Sequence, residues 1–407
     1  MSSQTVSPKL VVFLLVICSV LGLAGTDLVL PAVPFLPAAL GGTAAASQLV
    51  LATFVTGGAI GLLLFGELGA RYDQRKLLLI SLAGYGLTSL LAVFSTNITM
   101  LITIRFFQGV ASAAPAVFAP GIIRVLFSEK AALRAIGILG SVESLAPALA
   151  PIAGVALFNA FGWQSSFTTI ALIAVIMWLV VFSVRRSIPN VHPEPASGGY
   201  LGLLSNPVYM RYALSQALTL GGLLVFVFGA PAVITQTMGG TLTHFIVMQV
   251  AGITTFIIAA NSAQWLVERF GSERVILFGS GLSSAGGIGI LIYSLLGSAS
   301  PSLLPYLFVP MNLGLGLRGP PGFYAAVVAS DGNDARGAAL LILLVLLTTA
   351  GGTAIAAPMI LDGLMPLAAV SVLISVLSLF TLMLLRAPAS NGQSPVDVSK
   401  ETGSPET

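Results

Sequence analysis

Long stretches without a single charge decide what this chain can fold into. Residues 28–66, 77–104, 106–123, 144–184, 212–267, 275–317, 337–361 and 363–385 contain no Asp, Glu, Lys or Arg. A soluble domain carries about 25% charged residues, whereas here they make up 8% and hydrophobic residues 56% of 407 positions. A bilayer-spanning helix takes roughly 20 apolar residues, so the longest stretches hold two helices each. Dividing them at Gly, Pro, Ser and Asn punctuation predicts twelve helices near 10–36, 48–69, 77–95, 98–127, 135–160, 164–184, 211–235, 243–267, 275–297, 302–330, 337–360 and 365–386. The pattern excludes a soluble enzyme, a nucleic-acid binder and a disordered chain.

Basic residues set the expected orientation, because cytoplasmic loops are enriched in Lys and Arg. With the N-terminus inside, Lys9, Arg71, Arg75, Lys76, Arg124, Lys130, Arg134, Arg185, Arg186, Arg211, Arg269, Arg274, Arg336, Arg386 and Lys400 all fall on or beside the cytoplasmic side. The outer loops hold none, and the remaining two, Arg105 and Arg318, lie inside predicted spans. Lys9 and the apolar run after it imitate a signal peptide, but a second long apolar segment follows at once, so the run reads as the first permanent span. Both termini are expected in the cytoplasm, with the chain crossing the cell's inner membrane many times.

The segment from Arg185 to Met210, with Pro189, Pro193, Pro195 and a Gly198-Gly199 pair, reads as a linker between two halves. The expected organisation is an N-terminal six-helix bundle at 1–184, a cytoplasmic linker at 185–210, a C-terminal six-helix bundle at 211–386 and a disordered tail at 387–407. A weak repeat supports two halves. Ala70-Arg71-Tyr72-Asp73-Gln74-Arg75-Lys76 after helix 2 parallels Glu268-Arg269-Phe270-Gly271-Ser272-Glu273-Arg274 after helix 8. Each has an arginine, an aromatic next to it, and a basic residue five positions after the arginine. Repeats of this kind are a common plan in secondary transporters, where the halves rock around a midplane site.

An ionisable residue within a span costs at least about 2.5 kcal/mol on insertion scales and marks a functional position by default. Four qualify: Asp27, Arg105, Glu143 and Arg318, whose formal charges sum to zero. Arg105 lies about 12 Å below the outer entry of its helix and Asp27 roughly 15–17 Å below the same surface, depths compatible with an ion pair. Glu143 and Arg318 lie deeper toward the cytoplasm, and a second pair between them would join the halves. Static ion pairs that fix helix packing are the competing reading. A free carboxyl titrates near 4, so proton exchange near neutrality needs an environment that disfavours the carboxylate, which burial supplies and a neighbouring arginine opposes. Glu67 and Glu268 sit at the cytoplasmic ends of helices 2 and 8 and read as interfacial.

The single cysteine, Cys18, rules out an intramolecular disulfide, and two histidines, His192 and His244, supply a metal centre poorly. No metal and no cofactor are expected. His244 and Trp163 sit at predicted interfaces, where such residues anchor helices. Pro147, Pro151 and Gly154 in helix 5, and Gly319-Pro320-Pro321-Gly322 in helix 10, permit bends that only a protein-lined helix tolerates. Small-residue lanes at Gly57, Gly58 and Gly61 and from Gly281 to Gly289 let helices approach closely. The Asn97-Ile98-Thr99 sequon abuts a membrane span and reads as accidental.

Several of these segments together resemble the major facilitator superfamily: Asp27-Leu28-Val29-Leu30-Pro31-Ala32-Val33-Pro34, the stretch from Gly66 to Lys76, Arg105-Phe106-Phe107-Gln108-Gly109, and Ala146-Pro147-Ala148-Leu149-Ala150-Pro151 with Gly154. The likeness is greatest to its twelve-helix drug:proton antiporters of the bicyclomycin, chloramphenicol and florfenicol resistance branch. It implies an all-α membrane protein of the major facilitator fold, twelve helices in two six-helix bundles. It also implies that Asp27 takes part in proton and substrate coupling, that Arg105 lies near the site of proton exchange, and that Gln108, beside it, shares the cavity. The Pro147/Pro151/Gly154 run resembles the helix 5 motif of antiporters, and Arg71, Arg75 and Lys76 the cytoplasmic gate.

Departures from the pattern are specific. Ala70 stands where the family has an acid before the gate arginine, and Asp73 where it has glycine; Glu268-Arg269-Phe270-Gly271 keeps the family order in the second half. The first gate is therefore expected to latch through Glu67 or Asp73. Ala146, Val155 and Gln164 also depart from the pattern, and Glu143 and Arg318 match nothing in it.

The expected function is proton-coupled export of small amphipathic molecules by a monomer that needs no partner beyond substrate, protons and membrane lipid. Proton coupling falls to Asp27, Arg105 and Glu143, with Gln108 and Arg318 joining them around the substrate. A proton-coupled importer or an exporter of one metabolite is the alternative. A polytopic membrane enzyme, such as an acyltransferase, would need a catalytic histidine, and neither His192 nor His244 is well placed. No appended signalling domain supports a sensor.

Overall fold

The computed structural model describes residues 7–189, 199–297 and 300–385. His192, Pro193, Pro195 and Gly198 of the expected linker, and the expected disordered tail from 387 on, lie outside the described residues.

Twelve long helices follow one another, and no strand is present among the described residues. They are α1 (Pro8–Asp27), α2 (Ala44–Gly69), α3 (Gln74–Val93), α4 (Ile98–Leu126), α5 (Glu129–Phe161), α6 (Gln164–Val184), α7 (Pro207–Gln236), α8 (Leu242–Phe270), α9 (Ser272–Leu295), α10 (Leu304–Val328), α11 (Asp334–Ala356) and α12 (Leu364–Leu384). Ten are long and apolar enough to cross a membrane unaided, and α5, bent near Pro147, makes an eleventh. The twelfth, α10, carries Arg318 and four prolines, which lower its apolar character, and much of it is buried.

Local chemistry places the helix ends. Side chains of Thr43, Asp73, Asn97 and Asn206 accept bonds from backbone N–H groups of the first turns of α2, α3, α4 and α7. His244 closes a capping box with Thr241 at the start of α8. Asn206 explains why α7 begins at Pro207, ahead of the expected 211, since Pro suits the first turn once a cap precedes it. Proline also shapes interiors: Pro31 and Pro34 turn the chain into a 3-10 segment, Leu30–Phe35, and Pro115 interrupts α4 at Ala113. Within the linker, Gly199–Ser205 forms a short helix whose Tyr200 hydroxyl donates to the Leu63 carbonyl of α2 at 2.7 Å.

The first six helices and the last six form separate cores toward the end of the molecule that lacks basic residues. One is built around Val29, Phe54, Tyr85 and Phe167, the other around Phe226, Met248, Phe308 and Leu367. At the opposite, basic end the first-half core continues into α11 through Ala335 and Ala339. Every hydrogen bond, ion pair and close glycine approach found between the halves lies toward this basic end. Asn261 of α8 donates to the Ser141 hydroxyl of α5 at 2.9 Å, and the α-carbon of Gly137 leaves room for the Ala260 carbonyl. Among the described residues no such bond joins the halves at the other end.

Small residues set the spacing, as the lanes suggest. A Cβ on Gly57 would lie 2.1 Å from the Phe106 carbonyl oxygen, and one on Gly154 would lie 2.4 Å from that of Leu28. Gly286 and Gly287 are likewise packed, whereas Gly281 and Gly289 face open space. Gly154→Ala is therefore expected to lower the thermal midpoint in detergent, with overpacking costing about 1–3 kcal/mol. Gly281→Ala should be neutral or slightly stabilising, and equal losses for both would refute the packing role of Gly154.

Candidate functional site: buried charges and the latch between the halves

Arg105 is fully buried in α4. Its Nε donates to the Val50 carbonyl at 3.0 Å and its Nη1 to the Gly25 carbonyl at 3.0 Å and to Gln108 Oε1 at 2.7 Å. The guanidinium lies 4.0 Å from the Phe54 ring centre and 5.8 Å from that of Phe167. Gln108 is fixed in turn, donating to Ser89 Oγ at 2.7 Å. Gly25 is required here, because a Cβ would meet the Tyr85 hydroxyl at 2.3 Å and the Phe54 ring at 2.7 Å.

The expected Asp27–Arg105 ion pair is not formed. Depth was compatible, but Asp27 lies two residues beyond Gly25, about 200° around the helix, so the turn that offers its carbonyl to Arg105 directs Asp27 elsewhere. Asp27 is half-buried and, among the described residues, makes no hydrogen bond or ion pair. It sits at the last residue of α1, where the proline-rich 3-10 segment takes over.

The expected Glu143–Arg318 pair is absent too. Glu143 accepts a 2.5 Å hydrogen bond from Ser19 Oγ of α1, within its own half, and is partly exposed. Arg318 is fully buried inside the second half, with Nη1 donating to the Ser215 carbonyl and Thr219 Oγ1 at 2.6 Å and Nη2 to Ser215 Oγ at 3.1 Å. The face of α10 that meets α5 is that of Pro320, near Gly137. Arg318, two residues earlier, points to α7.

The ion pairs between the halves draw on Arg124, Lys130 and Arg336, which the sequence marked only for topology, and on Asp334, which it did not mark. Arg336 of α11 grips Glu67 of α2 with Nε to Oε2 at 2.7 Å and Nη2 to Oε1 at 3.0 Å, and Arg71 pairs with the same carboxylate. Arg336 also donates to Asn333 Oδ1 at 2.7 Å. Arg124 of α4 holds Asp334 of α11 through two 2.8 Å bonds. Lys130 of α5 reaches Glu268 of α8 at 3.0 Å, and Gln264 donates to that carboxylate at 2.6 Å. Of the two acids expected to latch the first gate, Glu67 is the one that meets Arg336 of the other half. Asp73 accepts three side-chain bonds from Arg75, which hold its carboxyl below the usual range. Lys76 is exposed in the first turn of α3, and Arg269 lies over the rings of Trp265 and Phe270 rather than across the cleft. Pro147 is exposed on α5, Pro151 partly so, and Gly154 is buried against α1.

Arg124, Lys130, Asp334 and Arg336 escaped the sequence reading because charges near a membrane surface look alike until helices are paired. The Asp334-Ala335-Arg336 triplet opening α11 was the available signal, since it offers both signs in one helical turn. A double-mutant cycle on Arg124 and Asp334, whose carboxylate side chain is 4% exposed, should give a coupling of about 1–2 kcal/mol in thermal unfolding. The exposed Lys130–Glu268 pair should couple distinctly less, and the reverse order would contradict the burial seen here.

Comparison with known proteins agrees with this architecture. The chain is 29% identical over 267 residues to the uncharacterized MFS-type transporter YdgK of Bacillus subtilis (strain 168), covering 64% of this chain and 65% of YdgK, just under two thirds of that relative. It is 27% identical over 298 residues to a chloramphenicol resistance protein of Pseudomonas aeruginosa, covering 72% and 70%. It is 25% identical over 303 residues to a bicyclomycin resistance protein homolog of Haemophilus influenzae, covering 72% and 75%. In fold it matches the transporter FucP in its outward conformation, with a TM-score of 0.72 at 15% identity over 93% of this chain and 99% of FucP. The sequence profile of the Major Facilitator Superfamily matches residues 15–357, and with twelve helices in two halves latched at one end, the chain belongs to that superfamily.

Proposed function

We propose that this protein is a proton-coupled exporter of small amphipathic molecules, working as a monomer in the bacterial inner membrane by rocking of its two six-helix halves. The observation that carries the reading is the state of its four intramembrane charges. Both arginines are held by carbonyls and hydroxyls of their own halves, while Asp27 and Glu143 have no cation partner and retain partial exposure. Unpaired acids in a span are costly and are kept where an ion or substrate pathway uses them. Drug-resistance proteins among the relatives favour export of such molecules.

With the basic end in the cytoplasm, the latched end faces inward and the cleft between the halves faces out. In this state an external proton reaches Asp27 and Glu143. After the latch opens, substrate entering from the cytoplasm displaces the proton, and return to the present state carries substrate out. Arg105 and Gln108 hold the α1–α4 contact beside Asp27 and do not trade partners with it here; Arg318 braces α10 against α7. Each proton entering down the membrane potential contributes about 2.3 kcal/mol per 100 mV, enough for uphill export of a neutral solute.

The test is proton release from purified protein in detergent as chloramphenicol is added. Wild type should release protons, and Asp27→Asn or Glu143→Gln should abolish or sharply reduce the signal. Release unchanged in both variants, or binding of chloramphenicol without release, would sink proton antiport through these acids. Arg105→Lys should lower transport at least about tenfold, since an ammonium cannot reach Val50, Gly25 and Gln108 together; full activity in that variant would refute the bracing role.

A further inference from the structure

One side chain of the linker is seated on the second half and bonded to the first. The short helix Gly199–Ser205 rides on the second half: Leu203 is buried in the core built from Tyr209, Tyr212, Ala213 and Leu341, and Asn206, just after the helix, donates to the Ala329 carbonyl at 3.0 Å. Tyr200 packs against the same core, yet its hydroxyl donates to the Leu63 carbonyl of α2 at 2.7 Å. Gly66 leaves the room for it, since a Cβ there would collide with the Tyr200 hydroxyl and lie 2.7 Å from the Cβ of Ala339 on α11. We propose that Tyr200 is an uncharged bolt across the seam between α2 and α11, holding the basic end closed through a bond that the linker helix carries and gives up whenever the halves part. The proposal rests on the rocking of the halves put forward above.

The pattern of the short helix aims the bolt. Tyr200 and Leu203, three positions apart and so on one face, turn toward the protein, while Leu201 and Leu204 are exposed. Donor and acceptor belong to bodies that separate, so the bond exists only while the basic end is closed, and opening breaks it outright. Burial and the neighbouring Glu67 carboxylate push the titration of the Tyr200 phenol up, so it remains a donor. Neither partner carries a charge, so added salt leaves this bond in place while it screens the exposed ion pairs nearby. A glycine at position 66 thus serves two neighbours, the linker ring and α11, rather than a helix contact alone.

Two roles for the hydroxyl can be told apart. If Tyr200 only seats the linker helix on the second half, losing the hydroxyl lowers stability without changing how often the basic end opens. If it bolts the seam, the same loss shifts the balance toward the opened state. The experiment is electron–electron double resonance on full-length protein carrying spin labels at Tyr72→Cys and Phe270→Cys, in a Cys18→Ala background that retains transport. Both label sites are exposed and lie on opposite halves.

Tyr200→Phe should raise the ratio of opened to latched molecules about two- to tenfold, the range expected of one neutral hydrogen bond, and by the same factor at low and at high salt. Leu201→Ala, on the exposed face of the same helix, should leave the ratio where it is. An unchanged ratio in Tyr200→Phe, a shift that vanishes at high salt, or an equal shift in Leu201→Ala overturns the bolt while leaving the rocking intact. A single short distance in wild type at every pH and with every added substrate overturns the rocking itself, and the bolt with it.

Discussion

A guanidinium sealed inside a membrane bundle has to find acceptors, and in this protein the backbone supplies half of them. Arg105 takes the carbonyls of Val50 and Gly25, and Arg318 takes that of Ser215. The rest of the arrangement follows from that choice. Gly25 must lack a side chain to expose its carbonyl and admit Phe54 and Tyr85, which fixes how α1 lies against α2, α3 and α4. With the arginines turned to these acceptors, each keeping one buried nitrogen without a partner, Asp27 and Glu143 are left without cations. Charges that cancel in composition do not cancel in space, and the imbalance is what gives the site something to exchange.

The second constraint is at the other scale, between the halves. Their contact is confined to the basic end, where buried small residues such as Ala335 and Ala339 let α11 approach α2 and α4, and ion pairs flank that approach. The pairs have opposite polarity on one helix: Asp334 reaches an arginine of α4 while Arg336 reaches a glutamate of α2. An arrangement of this kind resists sliding, because a shift that eased one pair would bring like charges together at the other. It also separates easily, since most of its members remain near water and each exposed pair is weak.

Much of the fold was legible in the sequence, for a simple reason. Lipid leaves a helix no alternative for its backbone groups, so charge-free runs, punctuation and basic loops located twelve helices, most to within four residues, though helix 1 ends nine residues earlier and helix 5 starts six earlier than expected. The bend expected of helix 5 lies near Pro147, whereas the breaks at Pro31 and Pro115 were not foreseen. The candidate site was legible only as a roster. Asp27, Arg105, Glu143 and Arg318 stood out because charge in a span is costly, and of the two acids expected at the first gate it is Glu67 that pairs with Arg336. Their partners were misjudged, because depth along a helix can be counted from sequence while rotation about it relative to a neighbour cannot.

What the sequence alone determined about this protein is therefore its solvent, its helices and the identity of its costly residues, all of which follow from local hydrophobicity and the rise per residue. What only the tertiary structure decided is who touches whom: that Gly25 rather than Asp27 meets Arg105, that Ser19 rather than Arg318 meets Glu143, and that Arg124, Lys130, Asp334 and Arg336 join the halves. Those outcomes depend on the angle at which each helix presents its face. That angle is set by close packing of glycines and alanines distant in the chain, and no single segment contains it.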